Sequence, residues 1–150
     1  MAGTYERSDK PQDEDIVISI KPAAMKEVVS GLKTHEFRRY SIPESVRRVW
    51  FYVMAPVQEL QYIATIGRER RPGQIDEADK GVGNSEFNDG KLDANYAYKI
   101  LQLYELEDPF TFYELKEYEF LRAPPPTAKY QWVKEGMLKH IKWDEQKRIF

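Results

Sequence analysis

Residues 46–55 read Val-Arg-Arg-Val-Trp-Phe-Tyr-Val-Met-Ala. Val49, Phe51 and Val53 alternate with Trp50, Tyr52 and Met54, so both side-chain sets of an extended chain are apolar. A strand of this kind is covered on both faces, and the pattern predicts a central position in a sheet. Trp50 is accordingly expected in the core. Pro56 ends the run.

On either side the periodicity changes. Upstream, Ile16, Val17, Ile18 and Ile20 form a β-branched run closed by Lys21-Pro22, which predicts a buried strand. Pro22 suits a first helical turn; Met25, Val28 and Val29 recur at helical spacing, and Gly31 is placed for a left-handed cap. Lys33 to Tyr40 returns to strand spacing, with Thr34, Glu36 and Arg38 on one face and Lys33, His35 and Phe37 on the other. Ser41 to Ser45 is a turn.

Downstream, Leu60, Tyr62, Ala64 and Ile66 mark another strand, ending in a basic turn from Arg68 to Gly73. Residues 76–93 hold Gly81, Gly83, Asn84, Asn88 and Gly90 and read as a long structured loop with one helical turn. Tyr98 to Leu106 is a further strand. Thr111 followed by Glu114 is a capping-box pair and predicts a helix to Phe120, stopped by Pro124, Pro125 and Pro126. Tyr130 to Val133 is a last short strand, and Glu135 to Phe150 reads as short helices around Trp143.

The chain has 150 residues, a single domain's worth, with 41% hydrophobic and 13% aromatic residues. Residues 1–14 are polar and aperiodic and are expected to form a flexible tail; residues 15–150 are expected to form one domain. A strand, a helix, then several strands with late helices predict an α+β domain on a partly closed β-barrel with flanking short helices, not a doubly wound parallel sheet.

A net charge of −2 gives no overall attraction to polyanions, so any nucleic-acid contact must be local. The absence of cysteine excludes disulfides, thiol nucleophiles and cysteine-bound zinc. His35 and His140 are the only histidines and are far apart, so no metal site and no cofactor is expected. His35 is expected on the surface. No apolar run is long enough to span a bilayer, and a cytoplasmic or nuclear location is the default expectation.

Gly31, Lys33, Glu36 and Arg38 spell Gly-x-Lys-x-x-Glu-x-Arg. Lys21-Pro22 precedes this motif, and the aromatic strand running into Ala55-Pro56-Val57 follows it. In that order the segments resemble the ASCH family of the PUA-like superfamily, closely over residues 15–72 and loosely to Pro126. Residues 81–88 and the Tyr96 to Leu101 segment resemble a fungal subgroup of that family. The resemblance implies a PUA-like barrel whose groove holds the lysine, glutamate and arginine, with RNA or a nucleotide-type ligand, such as a modified base, as partner.

A groove of this kind offers a cation, an acceptor and a fork-shaped donor. Lys33 or Arg38 would hold a phosphate or base edge, Glu36 would accept from an exocyclic amine, and Tyr52 or Trp50 would stack on the base. Lys21, Arg39 and Asn84 are lesser candidates. On this reading Lys33→Ala and Arg38→Ala weaken RNA binding and leave thermal stability nearly unchanged. The bland alternative is that Glu36 and Arg38 simply pair on an exposed strand.

One bacterial branch of the family resembles amidohydrolases acting on acylated cytidine, with Lys-x-x-Thr and a distant glutamate. Here Lys33 is kept, the third position after it is Glu36, and Thr34 stands elsewhere. If the chain is an enzyme, Lys33 and Glu36 are the acid–base candidates. A third reading is a protein-interaction adaptor using exposed aromatics near Tyr118 and Phe120. Trp132, after the proline run, is a candidate pocket residue.

Overall fold

The computed structural model describes residues 12–150, so residues 1–11 of the expected tail lie outside the described residues. From Gln12 onward the chain is tied down: the Gln12 side-chain amide donates to the Val133 carbonyl at 2.6 Å and the Asp15 carbonyl at 2.8 Å.

One seven-stranded mixed sheet curls into a half-barrel. Its strands are β1 (Asp15–Ile20), β2 (His35–Arg38), β3 (Arg48–Val53), β4 (Glu59–Arg70), β5 (Tyr96–Thr111), β6 (Gln131–Trp132) and β7 (Lys147–Arg148). Side by side they run β2-β5-β4-β3-β1-β6, with β7 added to β5. β1 and β3 are parallel, in register from Asp15 opposite Arg48 to Ile20 opposite Val53. The helix α1 (Pro22–Val29) lies between them in sequence, followed by the β2 excursion. The other pairings are antiparallel.

Strand alternation divides the core between the two faces of the sheet. Ile16, Ile18, Val49, Phe51 and Val53 face one core, closed by Met25 and Val28 of α1. Val17, Trp50 and Tyr52 face the other. Leu115 of α3 (Phe112–Glu117) and Met137 of α4 (Glu135–His140) cover that second face. Each such side chain contributes about 1.5–3 kcal/mol by leaving water, and β3, apolar on both faces, lies inside the sheet as its sequence requires. A third cluster, Ile75, Phe87 and Ala97, forms where α2 (Asn84–Asn88) folds onto the outside of β2 and β5.

Several expectations change, and the helix expected to reach Phe120 ends at Glu117. β4 continues to Arg70, through the start of the expected basic turn, because bulges let Glu69 and Arg70 pair with Tyr98 and Ala97 of β5. The C-terminal segment adds β7, whose Lys147 and Arg148 pair with Glu105 and Tyr104. Among the described residues no helix is long and apolar enough to cross a membrane.

Candidate functional site

β2 is an end strand of the half-barrel, and β1 with β6 forms the opposite end. The two ends approach each other at a seam built from polar side chains. Arg38 Nη2 donates to Glu36 Oε1 at 2.7 Å and to the Ser19 carbonyl of β1 at 3.1 Å. Its Nη1 reaches the Thr127 carbonyl, just ahead of β6, at 3.4 Å. Tyr40, two residues past Arg38, packs its ring 5.6 Å from that of Tyr130. Ser19 Oγ donates to the Pro125 carbonyl, fixing the proline segment over β1.

Glu36 and Arg38 share a face because they are two apart on a strand, as their spacing predicts. That face points inward: Glu36 stands opposite Tyr98 and Arg38 opposite Tyr96. The side chains are 5% and 9% exposed, so this is a buried ion pair and not the exposed one of the bland alternative. Among the described residues, Glu36 Oε2, Arg38 Nε and the Tyr40 hydroxyl are buried without a hydrogen-bond partner. Burial pushes the Tyr40 phenol above its ordinary range, while Arg38 pulls it down and Glu36 raises it. Over the seam opens a cleft of about 320 Å³ lined by Phe37, Arg38, Arg39, Tyr40, Thr127 and Ala128, with Asp93 at the rim.

The remaining candidates sit at different depths. Lys33 lies just before β2, not on it, with its ammonium 5.5 Å from the centre of the Phe37 ring, so Phe37 links it to the cleft. Arg39 is exposed and paired with Asp93. Lys21 is exposed at the start of α1. Tyr52 is fully buried in the second core against Phe112, at 6.4 Å between rings, and has no open face for a base. Tyr40, which sequence spacing continues from Glu36 and Arg38, is the aromatic side chain that the seam brings to Arg38.

Asn84 belongs to a separate network. Thr34 Oγ1 donates to Asp79 Oδ1 at 2.9 Å and lies 3.0 Å from His35 Nδ1; Asn84 Nδ2 donates to both Thr34 Oγ1 and Asp79 Oδ1. Because the hydroxyl hydrogen is given to Asp79, the histidine carries its hydrogen on Nδ1. Lys99 Nζ lies 3.4 Å from Asp79. His35 is 3% exposed, not on the surface as expected, since the loop carrying Asp79 and Asn84 covers this face of β2. Burial holds its pKa below 6.5 against the pull of Asp79, with Lys99 and Arg70 lowering it further.

No family model matches the chain. Among curated proteins it is 41% identical over 54 residues to an ASCH domain-containing ribonuclease of Zymomonas mobilis subsp. mobilis. The match spans 35% of this chain and only 36% of that relative's length. Among solved structures, a serine-to-alanine variant of the ASCH protein from Zymomonas mobilis superposes with a TM-score of 0.66 at 22% identity, over 87% of this chain and 96% of that one. A second crystal structure of that protein gives 0.62 at 22% identity, over 85% and 93%. The chain has the ASCH fold. The ASCH fold accounts for the curled half-barrel with few, short helices, and the matches bear on the family, not on a fungal subgroup.

Proposed function

We propose that this ASCH-fold domain binds RNA, or a nucleotide-type ligand, in the seam cleft. The observation that carries the reading is the trio of buried, unpartnered polar atoms on Glu36, Arg38 and Tyr40, two of whose owners line an open cleft. A buried polar group left unpaired costs about 1–3 kcal/mol, and a polar ligand at the cleft floor relieves that cost. Arg38 and Tyr40 contact a base edge or a phosphate oxygen, and Glu36, behind them, is the acceptor.

Lys33 and Arg39 supply the outer charge. Arg39 gives up little when it exchanges Asp93 for a phosphate, because an exposed ion pair is worth at most about 1 kcal/mol. Phe37 and Tyr40 take over the stacking first assigned to Tyr52, and Lys21 lies farther out. Asn84 acts indirectly, by fixing the loop behind β2. The relative's name, a ribonuclease, supports RNA as the polymer and adds strand cleavage as a second reading, with Lys33 and Glu36 as the acid–base candidates.

The test is fluorescence anisotropy with a labelled ten-nucleotide single-stranded RNA at two salt concentrations, run beside a gel that scores cleavage. Lys33→Ala and Arg39→Ala are expected to weaken binding several-fold with unchanged melting temperatures. Identical affinities for the wild type and both variants reject the seam as the site. Shortening of the RNA that is lost in Lys33→Ala makes the domain a nuclease.

A further inference from the structure

Trp132 is 41% exposed on β6, whereas Trp50 is fully buried. It lines a second cleft of about 350 Å³ together with Phe120, Leu121, Arg122, Gln131 and Lys134. Two of these are cations, none is a carboxylate, and among the described residues neither cation forms an ion pair. Lys134 is positioned by donating to the Glu119 carbonyl at 2.7 Å, which fixes its ammonium and leaves its charge uncompensated. In a chain of net charge −2, an open indole beside two uncompensated cations is a local departure from the average surface.

One chain segment, residues 127–132, walls both the seam cleft and the second cleft. Thr127 and Ala128 wall the first cleft, and Gln131 and Trp132, a few residues on, wall the second. Between them runs a row of rings: Tyr40 to Tyr130 at 5.6 Å, then Tyr130 to Trp132 at 5.6 Å and nearly perpendicular. The row starts at the wall of the seam cleft and ends in the open indole.

We infer that the Trp132 cleft is a second nucleotide subsite, in which the indole stacks on a base and Arg122 and Lys134 hold the adjoining phosphates of a single strand entering from the seam. The inference rests on the proposed RNA reading and narrows it: the ligand is a single-stranded oligonucleotide, not a free nucleotide and not a duplex. Stacking on one exposed ring is indifferent to base identity but needs a free base face, and bases inside a duplex have none. Gln131 adds an amide that can both donate and accept at a base edge.

The experiment measures binding of a fluorescein-labelled ten-nucleotide oligouridylate to the full chain, with the matching duplex as a second probe. Trp132→Ala is expected to weaken decamer binding about tenfold, and Trp132→Phe, which keeps a ring, to restore most of it. Arg122→Gln combined with Lys134→Gln is expected to reduce the slope of log affinity against log salt by about 1.4, the value for two phosphates on a single strand. Melting temperatures verify that the variants fold, and the phenylalanine variant decides the matter if the alanine variant does not.

If Trp132→Ala and the double variant bind like the wild type while Lys33→Ala and Arg39→Ala bind weakly, the seam stands and the second subsite is rejected. If the duplex binds as tightly as the single strand, the stacking role is rejected. If the wild type binds no decamer, the RNA reading falls and this inference falls with it.

Discussion

Arg38, on the end strand β2, hydrogen-bonds the backbone carbonyl of Ser19 on β1, so one guanidinium joins the two ends of the curled sheet. The same group pairs with Glu36 and reaches Thr127, and no backbone ladder runs between β2 and either β1 or β6. A half-barrel that leaves its last ladder open needs some other closure, and here it is a buried charge pair. Arg38 is therefore structural as well as a candidate contact.

Replacing Arg38 by Ala strands the Glu36 carboxylate in a buried site, which costs about 3–5 kcal/mol. For a chain of this size the melting temperature is expected to drop by about 10 °C. The sequence alone pointed to an unchanged midpoint, because an arginine on a short polar strand reads as exposed. The combined variant Glu36→Gln with Arg38→Met, which removes both charges, is expected to recover more than half of the loss in a thermal melt. A single Arg38→Ala variant as stable as the wild type contradicts the closure.

The readable parts of the fold are those in which local pattern and tertiary need agree. β3 is apolar on both faces and is central; Thr111 and Glu114 form the reciprocal capping box their spacing announces. The unreadable parts depend on distant partners. β7 is two charged residues whose strand character comes wholly from Tyr104 and Glu105. His35 has the correct parity, opposite Glu36 and Arg38, yet its burial depends on a loop more than forty residues later. Glu36 and Arg38 were readable as a pair; that they face inward follows only from the curl of the sheet.

Gly81 sits against the network that holds this loop. A Cβ there would lie 2.3 Å from Thr34 Oγ1 and 3.0 Å from Asn84 Nδ2. Neither side chain can yield without losing its bond to Asp79. Gly81→Ala is expected to cost about 1–3 kcal/mol, as overpacking does, and to raise amide hydrogen exchange across residues 79–88 before the rest of the chain. Unchanged protection there removes the network as the loop's anchor.

His35 gives stability a pH dependence of defined sign. Its folded pKa lies below the ordinary 6.5, so the unfolded chain takes up a proton first as pH falls. This contribution is whole above about pH 6.5 and declines below it, by at most about 1.4 kcal/mol per pH unit. Burial works on Asp79 in the opposite sense, but its hydrogen bonds from Thr34 and the Gly81 N–H, with His35 and Lys99, hold it below 3.8; its own loss comes only in stronger acid. Urea midpoints between pH 7.5 and 5 are expected to fall more steeply for the wild type than for His35→Asn, which keeps a donor and does not titrate. Parallel slopes exclude the histidine as the source.

Asp15 orders the opposite end of β1. It is 1% exposed, and its carboxylate accepts from Arg48 Nε at 2.8 Å, Arg48 Nη2 at 3.0 Å and Trp50 Nε1 at 2.8 Å. Arg48 in turn lies over the Trp143 ring at 4.6 Å, so this carboxylate connects β1, β3 and the C-terminal segment. Asp15→Ala leaves the Trp50 indole N–H without its acceptor and takes two hydrogen bonds from the Arg48 guanidinium, which keeps Glu14, at a cost of up to about 3 kcal/mol. Asp15→Asn keeps the shape and one acceptor oxygen and is expected to lose about half as much. Arg48→Met should cost at least as much as Asp15→Ala, because it strands the buried Asp15 carboxylate with the Trp50 N–H as its remaining side-chain donor. Chemical denaturation of the three variants checks that order, and an Asp15→Ala variant within 1 kcal/mol of the wild type would show that β1 is held by apolar packing and its ladder alone.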